Sequence, residues 1–97
     1  MNANEYINGM ADLIRTTGAD VRIEDIDGRK RIAAKFHGVS EMNAEMKKAF
    51  IANAETLKAL NAGLKALRAS GEFKSATNCW APTLLEGGIE LRMDFGF

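Results

Sequence analysis

Two side chains of the sequence could support nucleophilic or metal chemistry, the single histidine His37 and the single cysteine Cys79. A thiol nucleophile needs a base within hydrogen-bond reach, and a structural zinc site needs four ligands, usually in paired spacings such as C-x-x-C. The two residues fall in different predicted elements, and the sequence contains no such pair. Gly87 and Gly88 precede a predicted strand, whereas a phosphate loop opens a helix. These patterns predict a protein that is not an enzyme and that uses no metal or other cofactor.

Carboxylates form the other group of side chains with a suggestive spacing, because four of them occur in residues 20–27 and two more follow at 41 and 45. The first four would extend over roughly 23 Å if their segment is a strand that rises about 3.3 Å per residue. A basic groove that binds nucleic acid attracts any row of anions at long range. If the next helix begins beside this strand, all six carboxylates would line one edge and could enter such a groove. The predicted partner-binding residues are Asp20, Glu24, Asp25, Asp27, Glu41 and Glu45.

Three other interpretations of the charged and apolar patterns stay open. The acids could form a solvated face that Lys30 and Arg31 partly neutralise. Four bases could bind DNA or RNA directly, although no aromatic side chains alternate with them as a stacking surface requires. These bases are Arg29, Lys30, Arg31 and Lys35. A seam of leucines could instead bury itself against a second copy of the chain, with the polar Asn53 setting its register. The leucines of this seam are Leu57, Leu60, Leu64 and Leu67.

Length and composition predict a single compact domain covering residues 1–97, since a chain of this size has room for one core. The 13 Lys and Arg balance the 13 Asp and Glu, and a net charge of zero argues against a large attraction to a phosphate backbone. Residues 1–28 nevertheless hold six acids and two bases, a net charge of −4. With one cysteine and no apolar run of about 18 residues, the chain is expected to be cytoplasmic and not to contact membranes.

Residues 20–37 predict a β-hairpin, because two alternating segments flank an Asp-Gly dipeptide at 27–28. This dipeptide favours a two-residue type I′ turn, whose central residues need positive φ angles. In the resulting register two acids of the first strand face two bases of the second. Each cross-strand ion pair would contribute roughly 0.2 to 1 kcal/mol at an exposed site. The predicted pairs are Asp25 with Lys30 and Glu24 with Arg31.

One helix is expected before this hairpin in the sequence and one after it. Apolar residues at helical spacing favour a helix over residues 3–17, and residues 41–69 lack proline and are rich in strong helix formers. At 1.5 Å per residue the second helix would reach about 44 Å, which exceeds the width of a domain with a radius of gyration of about 13 Å. We therefore expect a bend, first at residues 61–63, where a glycine lowers helix propensity, and otherwise near Asn53.

The end of the sequence predicts one or two further strands. Residues 89–97 alternate apolar and polar side chains, as an interior, half-buried strand does, and residues 82–86 could supply its partner through the glycines at 87–88. The expected fold class is α+β with the order αββαβ(β). In this fold an antiparallel sheet of three or four strands packs against an N-terminal helix and a long central helix that we expect to bend.

The six acids predicted to bind a partner lie in two segments, DVRIEDIDG at 20–28 and SEMNAE at 40–45. A small, cysteine-poor αββαβ domain that has these acids and no catalytic motif resembles the phage-encoded anti-CRISPR proteins, in particular inhibitors of type I-F (Csy) surveillance complexes. The resemblance implies an inhibitor, acting in the host cytoplasm, that binds the basic DNA channel of such a complex as a DNA mimic. The chain is expected to be a monomer or a homodimer. The candidate contacts that it implies are Glu24, Asp25, Asp27, Glu41 and Glu45.

Overall fold

The computed structural model describes residues 1–37, 43–76, 83–85 and 87–97. Their helices and strands occur in separate runs and the strands pair antiparallel, so the α+β fold class is confirmed. In chain order the elements are α1 (Ala3–Arg15), β1 (Asp20–Ile26), β2 (Arg29–His37), α2 (Asn43–Ala52), α3 (Ala54–Ala69), β3 (Ser75–Ala76), β4 (Thr83–Leu85) and β5 (Gly88–Gly96).

The strands form an antiparallel sheet with β5 in its interior, as predicted. The strand order is β1-β2-β5-β3, and the short β4 also pairs with β5. The register of the β1–β2 hairpin agrees with the prediction at every position. The strand expected at 82–86 is confirmed at Thr83–Leu85, while 82 and 86 lie outside the described residues. The two-residue β3 brings this sheet to five strands, one more than expected.

A capping box begins α1, because Asn2 and Glu5 satisfy one another's backbone N–H groups. The Asn2 side-chain oxygen accepts from the Glu5 backbone N–H at 2.8 Å, and the Glu5 carboxylate accepts from the Asn2 backbone N–H at 3.2 Å. The helix ends at Arg15, before its predicted end. The Thr16 hydroxyl then donates to the Leu13 carbonyl oxygen at 2.6 Å, which helps to satisfy the last turn.

The predicted long helix is divided at Asn53 into α2 and α3. The Asn53 backbone adopts φ −118° and ψ 34°, and its side-chain amide donates to the Ala49 carbonyl oxygen at 2.8 Å. The first expected bend position, 61–63, is wrong, because these residues lie within the continuous α3. Gly63 lies beneath the Met1 side chain, and a Cβ added there would lie 2.5 Å from the Met1 sulfur.

The helices cover one face of the sheet, and the core lies between the two layers. The described part of the molecule measures 39 × 32 × 17 Å, and its shortest dimension fits one helical layer on one sheet. Among the described residues, the other sheet face carries no helix. Fully buried side chains from both layers form the centre of the core: Tyr6, Ile7, Ile14, Ile32, Leu91 and Phe95.

The leucine seam of α3 contributes to this same core. Leu60, Leu64 and Leu67 are buried there, and Leu57 packs against it partly buried. These apolar side chains are therefore already buried within their own chain. A second copy could pack against the seam only by displacing these contacts within the chain.

Candidate functional site

The acids of the hairpin are held by a tight turn between β1 and β2. Asp27 and Gly28 both have positive φ angles, 47° and 76°, as a type I′ turn requires. Because the register is fixed by this turn, the side chains of β1 alternate strictly between the two sheet faces. Asp20 and Glu24 lie on the face without helices, whereas Asp25 lies on the helix-covered face. The predicted acids of β1 therefore do not share one face.

These acids nevertheless share one edge, because β1 is the outermost strand of the sheet. Side chains of an edge strand flank the same open boundary whichever face they occupy. Residues 20–27 bring four carboxylates and one guanidinium, that of Arg22, to this boundary, which leaves a net charge of −3. We call β1 together with Asp27 the acidic edge.

Only part of the charge on the acidic edge is paired. Glu24 lies 3.4 Å from the Arg22 guanidinium with its side chain 36% exposed. Asp25 lies 4.0 Å from the Lys30 ammonium, as predicted, and its side chain is 83% exposed. Such exposed pairs contribute little to stability, so the bases of a partner can replace them at low cost. Within the described residues, no ion pair shorter than 4 Å involves Asp20 or Asp27, and both are exposed.

The predicted pair between Glu24 and Arg31 is wrong, because Arg31 binds Asp94 of β5 instead. The Arg31 Nε and Nη2 atoms donate to the two Asp94 carboxylate oxygens at 2.7 and 3.2 Å. The hydrogen bond from Arg31 holds the pKa of Asp94 below its ordinary value, although partial burial opposes the shift. Two parallel N–H···O bonds are stronger than a single-point contact. Glu24 is thus left to the more exposed Arg22.

Glu90 of β5 is a buried carboxylate that the sequence analysis did not single out. Its side chain is 7% exposed, and its oxygens lie 2.7 Å from the Arg92 Nε and 3.6 Å from the Arg22 guanidinium. Glu90 lies on the face without helices, opposite Lys35 of β2. The alternation of apolar and polar residues in β5 indicated that the Glu90 side chain points away from the core. It did not indicate that Arg22 and Arg92 lie beside it. This pairing fits a structural role, since a buried charge is tolerated when it is paired.

The acids at the start of the central helix are not joined to the acidic edge by any described contact. Glu41 lies outside the described residues. Glu45 is in the first turn of α2, where its carboxylate lies 3.8 Å from the Lys48 ammonium. Lys30 contacts Asn4 at 3.2 Å, which ties the hairpin tip to the start of α1. The end of α2 is tied instead to the end of α1. We therefore restrict the candidate site to the acidic edge.

The four bases considered for nucleic-acid binding do not form one surface. Lys30 lies on the helix-covered face, whereas the other three lie on the opposite face. Of those three, Arg31 is engaged by Asp94, and Lys35 stands between Asp20 and Glu90 in the pairing of the strands. A phosphate backbone would have to displace Asp94 from Arg31 and would meet the negative charges of Asp20 and Glu90 beside Lys35, which makes this set a weak candidate for DNA binding.

Two other features of the described residues bear on possible chemistry, the histidine His37 and a groove between the helices. His37 ends β2 exposed, and Cys79 lies outside the described residues. In the parts of the chain that the structure describes, no three His, Cys, Asp or Glu side chains are grouped to hold a metal ion. A groove of about 340 Å³ between the helices is lined mostly by apolar side chains. Its one titratable group is Tyr6, whose pKa is raised by burial, so the phenol stays protonated near neutral pH.

Comparisons with models of protein families, with curated proteins and with solved structures found no match. None of the helices in the described ranges is both long enough and apolar enough to cross a membrane.

Proposed function

We propose that this chain is a non-enzymatic binding protein that docks its acidic edge into the basic, nucleic-acid-binding groove of a protein partner. The observation that carries the proposal is the position of β1 at the boundary of the sheet, with four carboxylates along it. A groove that reaches this boundary contacts carboxylates from both sheet faces at once. The proposal retains Asp20, Glu24, Asp25 and Asp27 as partner-binding residues.

The spacing of the acids supports mimicry of a phosphate row, but at reduced density. A DNA strand carries one phosphate per about 3.4 Å of helix axis, and a β-strand rises by about the same distance per residue. A strand with an acid at every position would therefore match the charge density of one DNA strand. Four of the eight positions in residues 20–27 are acidic, so the acidic edge reaches half of that density.

The bases of β2 limit the range over which the acidic edge attracts a partner. Neighbouring strands lie about 4.8 Å apart, which is less than the Debye length of about 8 Å at physiological ionic strength. At a distance, the positive charges of Arg29, Lys30 and Lys35 cancel most of the field of the acids. The attraction acts mainly at contact, so shape and direct pairing decide which groove is bound.

The resemblance to anti-CRISPR proteins makes a type I-F surveillance complex the first partner to test. Inhibition would then consist of occupying the DNA channel of the complex in the host cytoplasm. Two variants with equal changes of charge separate this proposal from a general effect of acidity. The edge variant carries Glu24→Gln with Asp25→Asn, and the control variant carries Glu45→Gln with Glu55→Gln. Each variant removes two negative charges; Glu24, Asp25 and Glu45 each lie in an ion pair that is largely exposed.

The test measures how much of each protein displaces labelled target DNA from the purified complex. The concentration needed for half-displacement should rise roughly fivefold for the edge variant, if each exposed charge contributes about 0.5 kcal/mol at contact. The control variant should displace DNA as well as the wild type does. Failure of the wild type to displace DNA, or equal losses in both variants, would refute the proposal.

A further inference from the structure

We infer that the partner binds by adding an extended basic segment to the sheet as a new strand beside β1. This inference rests on the proposed function and specifies how the acidic edge is recognised. Its basis is the backbone of β1, whose outward N–H and C=O groups form a template for another strand.

The type I′ turn determines which backbone groups point outward. In a two-residue hairpin the residues that flank the turn, Ile26 and Arg29, exchange hydrogen bonds, and hydrogen-bonded positions then alternate along the strand. Val21, Ile23 and Asp25 therefore direct their backbone N–H and C=O groups away from β2. One contact supports this assignment, since the Arg15 guanidinium donates to the Val21 carbonyl oxygen at 3.3 Å.

The rest of this boundary is open among the described residues. No backbone hydrogen bond outside the regular elements involves Ile23 or Asp25 in the part of the chain that the structure describes. A segment of about three residues is therefore available for pairing, directly beside the exposed carboxylate of Asp25.

Charge complementarity selects the occupant of this boundary. Proteins commonly protect edge strands with charged side chains, and lysines are frequent in that role. On the acidic edge the charged side chains are mostly negative, because residues 20–27 hold four carboxylates and one base, Arg22. A second copy of β1 would bring another net charge of −3 to the boundary, whereas a strand rich in Lys or Arg would meet opposite charges. The occupant that fits is an extended basic peptide segment.

The test uses a ten-residue peptide of alternating Lys and Thr, blocked at both ends, titrated into the full chain by calorimetry. Asp25→Pro and Asp25→Ala remove the same charge, but only proline also removes the outward N–H group. Proline is tolerated on an edge strand where its N–H would face solvent, and circular dichroism checks that both variants are folded. Relative to Asp25→Ala, Asp25→Pro should weaken peptide binding roughly two- to tenfold, the range that corresponds to one hydrogen bond.

A measurement on the wild type makes the test independent of the proline variant. Hydrogen exchange at the Ile23 and Asp25 amides should slow when the peptide is saturating. Equal peptide affinity of the two Asp25 variants, unchanged exchange at both amides, or no binding by the wild type would overturn strand pairing. Dimers of the chain alone in light scattering that Asp25→Pro dissociates would overturn it too, because the boundary would then hold a second copy. If any of these outcomes overturned strand pairing, a loss of DNA displacement in the edge variant would still support the proposed function.

Discussion

Arg31 lies opposite a carboxylate on each of its two neighbouring strands, Glu24 of β1 and Asp94 of β5. It binds Asp94 through two hydrogen bonds and leaves Glu24 to Arg22. The Arg31–Asp94 pair adds a side-chain contact between β2 and β5 in the interior of the sheet. It also leaves the acidic edge less neutralised than the predicted pairing would have done.

Replacing Asp94 by Asn should therefore lower stability in a pH-dependent manner. The pKa of Asp94 is lowered in the folded protein, so the stability that its ionisation contributes is present above the unfolded pKa of about 3.9 and is lost as pH falls through the folded value. At neutral pH, Asp94→Asn should cost about 1 kcal/mol, since both partners are partly exposed and solvent screens the pair. Urea unfolding measured from pH 7 down to pH 2 gives this difference.

The matched control is Asp27→Asn, which removes a carboxylate from the turn, where asparagine is also well tolerated at positive φ. It should cost less stability at pH 7 than Asp94→Asn does, because no ion pair among the described residues involves Asp27, and Asp94→Asn should flatten the acid limb of the stability curve. Parallel pH profiles for Asp94→Asn and the wild type would show that the Arg31–Asp94 pair contributes nothing to folding.

Much at the residue scale could be predicted from the sequence. The Asp-Gly turn and the alternation of the strands predict every β1–β2 partner and the Asp25–Lys30 pair. The same alternation places Glu24 and Asp25 on opposite faces, which already separates acids that are adjacent in sequence. The pairing of Arg31 with Asp94 rather than Glu24 could not be predicted, because it depends on which strand lies on the other side of β2.

At the scale of elements, the two helix glycines Gly9 and Gly63 differ in what surrounds them. A Cβ added at Gly9 would lie 2.9 Å from Leu60 Cδ2, and Leu60 is 2% exposed. A Cβ added at Gly63 would meet the end of the Met1 side chain, and Met1 is 58% exposed and able to move. Propensity alone predicted a bend at Gly63, whereas the glycine instead makes room for a neighbouring side chain.

Alanine substitutions at these two positions should therefore have opposite effects on stability. Alanine gains about 1 kcal/mol over glycine inside a helix, and overpacking a core costs about 1 to 3 kcal/mol. Gly9→Ala should destabilise the fold by about 1 kcal/mol, while Gly63→Ala should be neutral or stabilise it by up to about 1 kcal/mol. Thermal unfolding of both variants measures the difference. Destabilisation of equal size at both positions would contradict the packing of α1 against α3.

The helix break illustrates the limit of prediction at this scale. Length and domain size together required a bend, and Asn53 was among the positions expected for it. The preference for Asn53 over 61–63 depends on tertiary contacts. Its amide donates to the Ala49 carbonyl oxygen and lies 3.4 Å from the Thr16 hydroxyl at the end of α1. Local propensity contains no information about Thr16, which is far away in the sequence.

At the scale of the whole molecule, the strand order decides which charges reach the boundary of the sheet. The sequence predicted the hairpin and an interior strand β5, but not on which side of the hairpin β5 would pair. Because β5 pairs with β2, the basic strand is enclosed and the acidic strand is left at the edge. Pairing with β1 would have produced a basic edge from the same residues, and the candidate function would have been the opposite one.

The measurement that tests the acidic edge most directly is zero-length carbodiimide cross-linking between this chain and a type I-F surveillance complex. The reagent joins a carboxylate to a lysine amine only where the two are in contact, and mass spectrometry of the linked peptides identifies both residues. We predict links at Asp20, Glu24, Asp25 and Asp27, with few at the exposed acids of the helices. Links concentrated at Glu45 and Glu55, with none in residues 20–27, would contradict the account.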